Sequence, residues 1–507
     1  MVQNGKLNNN APVIRARRMG IDTYHEPIVF MRADCHVCRS EGFQVRARVQ
    51  VTAGARSLIA TLNVVAEDLL AVDEAGLSEV AWRELHIEPG QVIEFAHPEP
   101  TQSFSNVRRK IYGLHLEPEE YTAIVRDVVA GRYSNIELAS FLTACAGDHM
   151  ALDEIVSLTR AMAEAGTILT WPTRPVVDKH CIGGLPGNRT TPIIVAIAAA
   201  AGLTMPKTSS RAITSPAGTA DAMETLAPVD LDIATMRRVV EREGGCVVWG
   251  GAMDLSPADD ILIGVERPLD FDSDGQLVAS VLSKKLAAGS THVVLDVPVG
   301  PTAKVRSAAA ARALVDKLTH VGKDVGLSVH AVQTLGTDPV GIGIGPALEA
   351  RDLLAVLQRA SDAPVDLRER ALRLTGAVLV LGGKAKGDGL DEATDILDSG
   401  AAWRKFQAIC AAQGGLREPP TASFRRDFVA PHAGRVKAID NRKLARVAKL
   451  AGAPRSPAAG LALHVKTGER VEHGQPMFTL HAQSKGELLY AAAYASGHGA
   501  PYELEPV

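Results

Sequence analysis

The chain has 507 residues, too many for one hydrophobic core and enough for three or four domains. It is 46% apolar and only 4% aromatic, so a core of small aliphatic side chains is expected. A formal net charge of -4 gives no general attraction to nucleic acid or to an anionic membrane, although a local basic pocket for a small anion is compatible with it.

The start, MVQNGKLNNNAPVIRARRMG, holds no apolar stretch suited to a signal peptide, and its Asn-rich portion reads as a loose tail. The longest uncharged apolar run lies between Arg189 and Lys207. It is too short and Ala-rich for a membrane span of about 20 apolar residues, and reads as a buried helix. A cytoplasmic protein is expected, with its six cysteines as reduced thiols. Cys35 and Cys38 form a CxxC with no second ligand pair at a convincing spacing, so no metal site is expected.

From about residue 12 to 100 the pattern favours short strands. Phe43, Val45, Ala47, Val49 and Val51 alternate with polar residues at the two-residue period of a half-buried strand. Residues 1–103 are therefore expected to form a small β-rich domain. From 104 to 172 the period turns helical. Tyr121, Ile124, Val125, Val128 and Val129 make one stripe, behind Glu119 and Glu120 at a helix start. Ile155, Leu158, Thr159 and Met162 make another. Residues 173–427 alternate strands and helices, with strands expected at 291–299 and 327–336 and an Ala-rich helix from Ser307 to His320 between them. The tail from Phe428 to 507 returns to short strands.

Chemistry concentrates in 176–228, VVDKHCIGGLPGNRTTPIIVAIAAAAGLTMPKTSSRAITSPAGTADAMETLAP. An apolar segment ends in Asp178, Lys179 and His180, then come Gly183, Gly184 and Gly187, then Arg189, Thr190 and a helix. Glycines let backbone N–H groups approach an oxyanion, and a helix start adds unpaired donors. A second loop offers Ser209, Ser210, Arg211, Thr214, Ser215 and Thr219. Taken singly, either loop reads first as a solvated loop capping a helix. Neither GxGxxG nor GxxxxGK[ST] is present, so periodicity alone reaches a phosphate-binding α/β protein and stops there.

Four ordered motifs, DKHCIGGLPGN, PKTSSRAITSPAGTADAMETLA, CVVWGGAMDLSPADD and ASVLSKK, closely resemble the thymidine and pyrimidine-nucleoside phosphorylase family. The longer architecture is similar to its second type, which includes the archaeal AMP phosphorylases. The resemblance implies a multidomain α/β fold of the nucleoside phosphorylase and phosphoribosyltransferase type. It has a helical lobe (104–172, with a returning segment near 257–288), an α/β phosphate-binding lobe, the β-rich N-terminal domain and a C-terminal α/β/β domain from 428.

Resemblance to the AMP phosphorylases implies nucleotide contacts from Gly184, the run Ser210, Arg211, Ala212, Ile213, Thr214 and Ser215, Thr219, Ser280 and Lys304. Asp272 matches the proton donor, with Asp270 and Asp274 as acidic neighbours. Resemblance to the thymidine enzymes implies Lys179, Ser209 and Thr219 for inorganic phosphate, and Arg267, Ser280 and Lys284 near the base, with His180 a further base or phosphate contact. The expected reaction is phosphorolysis of a nucleoside 5′-monophosphate to free base and ribose 1,5-bisphosphate. Its close competitor is thymidine or pyrimidine-nucleoside phosphorolysis. Phosphoribosyl transfer and an inactive binding relative rank below both. Inorganic phosphate is a co-substrate, no other cofactor is implied, and a homodimer or larger homo-oligomer is.

One residue departs from the pattern. Many relatives have Ser where Cys181 stands, and a thiol is a poor hydrogen-bond donor. Size-conserving replacement is the expected meaning, against a reactive thiol near Lys179. The C-terminal segment weakly resembles a biotinyl-lipoyl β-sandwich without the acceptor turn, and reads as a structural domain.

Overall fold

The computed structural model describes residues 13–506 apart from 25, 188, 213–214, 270–272 and 498–500. The Asn-rich start read as a loose tail thus falls largely outside the described residues. The chain packs into two compact units, Met1–Cys145 with Ile261–Phe271, and Ala146–Asp260 with Asp272–Val507.

In the first unit six strands close a barrel: β1 (Ile14–Arg18), β2 (Ile28–Arg32), β3 (Arg48–Ala53), β4 (Arg56–Val65), β5 (Glu74–Leu77) and β6 (Val92–Ala96). Their order is β1-β5-β2-β4-β3-β6. Val49, Val51, Leu62 and Leu77 point inward and are fully buried, as the two-residue period demands. The alternation that starts at Phe43 overshoots. The strand begins only at Arg48, because Arg46 adopts a left-handed φ of 67° and a turn runs through the preceding residues. Cys35 and Cys38 lie in the barrel core. Cys35 Sγ accepts the Cys38 N–H at 3.2 Å, so the pair caps the short helix α1 (His36–Glu41), and packing accounts for both.

Beyond the helix α2 (Glu79–Leu85), the same unit holds α3 (Phe104–Ile111), α4 (Pro118–Val129) and α5 (Asn135–Ala144). The α4 stripe expected from the sequence is buried at Tyr121, Ile124, Val125 and Val128. The unit boundary at Cys145 cuts through the helical stretch read as 104–172. Polar contacts tie α4 and α5 to the barrel: Arg48 Nη2 donates to the Gly131 carbonyl at 3.1 Å, and Asn135 Nδ2 to Glu26 Oε2 at 3.4 Å.

The second unit contains α6 (Leu152–Glu164), β7 (Val177–Cys181), α7 (Thr190–Ala200), β8 (Met205–Ser209), α8 (Thr219–Glu224), α9 (Ile233–Glu243) and β9 (Gly245–Trp249). After α10 (Pro257–Leu269) come α11 (Asp274–Ala287), β10 (His292–Val299), α12 (Ala308–Asp324) and β11 (Ser328–Leu335). All strand pairs here are parallel, β11-β10-β7 and β8-β9, and a parallel bridge between Val176 and Thr204 joins β7 to β8. The order is therefore β9-β8-β7-β10-β11. The chain starts in the middle, builds one side, then crosses to the other, leaving a switch point between β7 and β10. In open parallel sheets, ligands gather at the carboxyl ends of strands at such a point.

The uncharged run after Arg189 is α7, with every residue from Thr190 to Ala199 buried. A helix apolar on all faces must be enclosed. It packs into one core with Met205, Val247 and Val294 of the sheet and with α13 (Pro346–Gln358), α14 (Val365–Leu381), α15 (Leu390–Asp398) and α16 (Ala401–Ala412).

The C-terminal part is built from β13 (Phe424–Val429), β14 (Gly434–Ile439), α17 (Asn441–Leu450), β15 (Gly460–Leu463), β16 (Arg470–Val471), β17 (Pro476–Ala482), α18 (Lys485–Gly497) and β18 (Tyr502–Glu505). It starts at Phe424, ahead of the expected 428. The strand β12 (Gly343–Ile344), which precedes α13, joins its sheet in the order β12-β15-β17-β13. No described helix is long and apolar enough to cross a membrane.

Candidate active site

β7 delivers Asp178, Lys179 and His180 to the switch point. The backbone then turns through Gly183 and Gly184 at φ of 122° and 87°, values side-chain-bearing residues rarely adopt. A tight turn at Leu185–Gly187 leads into α7. A Cβ on Gly187 would overlap the Cys181 sulfur and come within 3.2 Å of Asp296 Oδ2, so this glycine is required for space. Arg189, also left-handed at φ 63°, anchors the loop's far end, with a fully buried guanidinium 3.1 Å from Glu349 Oε1.

Beneath the loop lies a buried ionic floor. Lys179 is fully buried, donates to Thr190 Oγ1 at 2.8 Å, and sits 3.5 Å from Asp296 Oδ2. Lys207 on β8 donates to Asp178 Oδ1 at 3.0 Å and to the Lys179 carbonyl at 2.9 Å. Lys285 on α11 donates to the other Asp178 oxygen at 2.7 Å. Asp296 also accepts from Thr334 Oγ1 at 2.7 Å. Three lysines thus face two carboxylates in a low-dielectric setting, where the field of a cation on an anion is strongest, and burial, against the pull of Asp178, brings the Lys207 ammonium down to about 7. Burial, then the nearby Lys285, Lys207, Lys284 and Lys179, hold the His180 imidazole well below its ordinary pKa, so it is neutral at physiological pH.

The Cys181 thiol is pushed up to about 12, chiefly by burial and next by Asp296. It is a protonated space-filler, contrary to the reactive-thiol reading. Cys181→Ser is accordingly expected to keep turnover and to tighten apparent phosphate affinity. Loss of turnover, or rapid inactivation of the wild type by iodoacetamide at pH 8 that phosphate prevents, would contradict this.

β8 ends in Ser209, and the second loop follows. One carboxylate organises it: Asp221 Oδ2 accepts from the Ala212 N–H at 2.6 Å and the Gly218 N–H at 2.8 Å. Ser215 Oγ donates to the Ala217 carbonyl at 2.8 Å, and Thr219 opens α8. Arg211 is held by Glu224, with Nη2 to Oε1 at 2.9 Å, and stacks 4.8 Å over the Trp249 ring at the end of β9. Its charge is already matched, so in this geometry it shapes the loop more than it offers a cation to phosphate. Ile213 and Thr214 lie outside the described residues.

α11 presents Ser280 and Lys284 one turn apart; Lys284 Nζ donates to Ser280 Oγ at 3.1 Å and to Asp259 Oδ2 at 2.6 Å. Lys304 follows β10, and its Cδ lies 3.9 Å from where a Cβ on Gly183 would stand. Asp270 and Asp272 lie outside the described residues, as does the Arg267 side chain on α10. Asp274 pairs with Lys317 at 3.1 Å. Lys207, Lys285 and Trp249 lie within the motifs without a role that the sequence reading assigns, and Asp296 lies outside them. A usable signal was present for Lys207: a lysine within a strand is fully buried only when paired. Among the described residues, no group of three or more His, Cys, Asp or Glu side chains is arranged to hold a metal ion.

A parallel sheet with a glycine loop over buried lysines at its switch point, beside a hydroxyl-rich loop, marks a phosphate-binding α/β protein, and its likenesses make it a pentosyltransferase enzyme. Residues 106–166 match the glycosyl transferase family, helical bundle domain, and 173–403 match the glycosyl transferase family, a/b domain. Residues 435–497 match the pyrimidine nucleoside phosphorylase C-terminal domain. A "Putative thymidine phosphorylase" of Polaromonas sp. is 63% identical over 95% of this chain and 95% of its own length. A protein of the same printed name from Legionella pneumophila is 58% identical over 94% and 93%. Anthranilate phosphoribosyltransferase from Thermus thermophilus shares the fold at a TM-score of 0.51 and 23% identity, over 61% of this chain and 98% of that one. The chain belongs to the thymidine and pyrimidine-nucleoside phosphorylase family.

Proposed function

We propose that the enzyme uses inorganic phosphate to cleave the N-glycosidic bond of a nucleoside 5′-monophosphate, releasing free base and ribose 1,5-bisphosphate. Phosphate lies against the glycine loop and the hydroxyls of Ser209 and Thr219, above the cationic floor of Lys179. As the C1′–N bond breaks, its electron pair leaves with the base and the ribose becomes oxocarbenium-like. A phosphate oxygen held on the opposite face stabilises that cation and forms the new C1′–O bond. The departing base nitrogen takes a proton from Asp272, the residue that the family resemblance matches to the donor. Phosphate is the nucleophile and leaves as part of the product, so the chemistry needs no further cofactor.

The observation that carries the nucleotide reading is Lys304, a cation at the carboxyl end of β10 beside the glycine loop, where a second phosphate can be met. The names of the similar proteins favour a second reading, phosphorolysis of thymidine to base and deoxyribose 1-phosphate. Lys304 separates the two. A charge-assisted hydrogen bond is worth about 1.5–3 kcal/mol, or roughly ten- to a hundred-fold in affinity. Lys304→Ala is expected to weaken handling of AMP, CMP and UMP by about that factor and to leave weak activity on adenosine, cytidine, uridine and thymidine nearly unchanged. Equal loss of both classes, or a wild-type preference for thymidine, would put the nucleoside reading in its place.

A further inference from the structure

Asp259 belongs to no loop that the phosphorolysis reading uses. It stands in the first turn of α10, only 2% exposed. Its carboxylate accepts from Lys284 Nζ at 2.6 Å, and the same ammonium donates to Ser280 Oγ at 3.1 Å. We infer that Asp259 is a positioning residue for base recognition: it fixes Lys284, and through it Ser280, as a pair of outward hydrogen-bond donors. The inference rests on the phosphorolysis reading, in which Ser280 and Lys284 border the base.

A lysine ammonium has three N–H groups and no acceptor. Among the described residues two are used, on Asp259 and on Ser280. The third points away from both by tetrahedral geometry. Ser280 Oγ accepts from Lys284, which leaves its own proton to donate to a further acceptor. Two adjacent donors converging on one ring substituent suit a carbonyl oxygen and oppose an amino group. Both also strengthen as the leaving base gains negative charge, which is when binding accelerates the reaction. Without the buried carboxylate, the long lysine side chain has many competing rotamers, and the donor pair loses its direction.

UMP and CMP differ in the 4-substituent, oxo against amino, and in the N3 proton that goes with it; the 4-oxo group, an acceptor absent from CMP, makes them the probe for a donor pair. The wild type is expected to prefer UMP. Asp259→Asn keeps the shape and removes the charge. It is expected to lower kcat/KM for UMP by about ten-fold, bring the UMP to CMP ratio towards one, and leave KM for inorganic phosphate within about two-fold. Lys284→Met should do the same, and the double variant should be no worse than Lys284→Met alone, because both act through one contact. A packing defect would lower both nucleotides alike and multiply in the double variant. An intact UMP to CMP ratio in Asp259→Asn, or multiplying losses, overturns the inference. Lys284 is 21% exposed and reaches the same contact from the solvent side, so its variant decides the matter if the buried change prevents folding. If the wild type cleaves no nucleotide or nucleoside with phosphate, the phosphorolysis reading falls separately. Calorimetry with uracil and cytosine then tests the donor pair: an oxo preference lost in Asp259→Asn upholds it, and equal or absent binding in the wild type overturns it.

Discussion

Lys179→Met is expected to lower kcat/KM for phosphate by about 10²–10³ and to destabilise the fold by about 3–5 kcal/mol. The two effects have different causes. The stability loss follows from Asp296: it is fully buried, 3.5 Å from Lys179, and would lose the cation facing it. The activity loss follows from the field of the floor on the phosphate that the proposed function sets above it, since one of its cations would be gone. Lys179→Met combined with Asp296→Asn separates them. Removing both charges should recover most of the stability in urea unfolding and none of the phosphate dependence. Recovery of activity in the double variant would mean that Lys179 serves only to neutralise Asp296.

Gly218→Ala is expected to cost activity about a hundred-fold or more through the second loop, by the scale of a lost oxyanion donor. A Cβ there would stand 2.6 Å from the Ser210 carbonyl oxygen, 2.7 Å from the Arg211 carbonyl carbon and 2.8 Å from the Ala212 nitrogen. All three are backbone atoms, so no side chain can swing aside. The Asp221 clasp on Ala212 and Gly218 must open, and Ser209, Ser210 and Thr219 lose their common frame. Overpacking of this kind costs about 1–3 kcal/mol in stability, which a well-folded enzyme survives. Gly264→Ala on α10 is the control, because its Cβ would meet nothing within 4 Å. It should leave turnover intact. Normal activity in Gly218→Ala would show that the loop tolerates a different shape and that its hydroxyls do not act together.

Much of this fold is legible in local pattern. The strands expected at 291–299 and 327–336 are β10 and β11, and Ser307 caps α12. These elements are long, periodic and bounded by turn residues, so local rules suffice. The barrel is a different matter. Its closure depends on parallel pairs such as β1 with β5 and β2 with β4, between segments far apart in sequence, and no local period encodes them. The site divides along the same line. The glycine loop and the hydroxyl loop are contiguous and visible as motifs. The floor under them joins Asp178 to Lys285 across 107 residues and Thr334 to Asp296 across 38, a meeting made only by the sheet order. Arg211 is visible in the motif, whereas its hold by Glu224 and its stacking on Trp249 come only from the fold.

The most direct measurement is phosphate-dependent release of base from the wild-type enzyme, with AMP, CMP, UMP and their nucleosides plus thymidine, and with the sugar product identified by mass. The proposal predicts no base release without inorganic phosphate, release from nucleoside monophosphates in its presence, and ribose 1,5-bisphosphate as the partner product. Release of base chiefly from thymidine with deoxyribose 1-phosphate, or release that does not depend on phosphate, would contradict it.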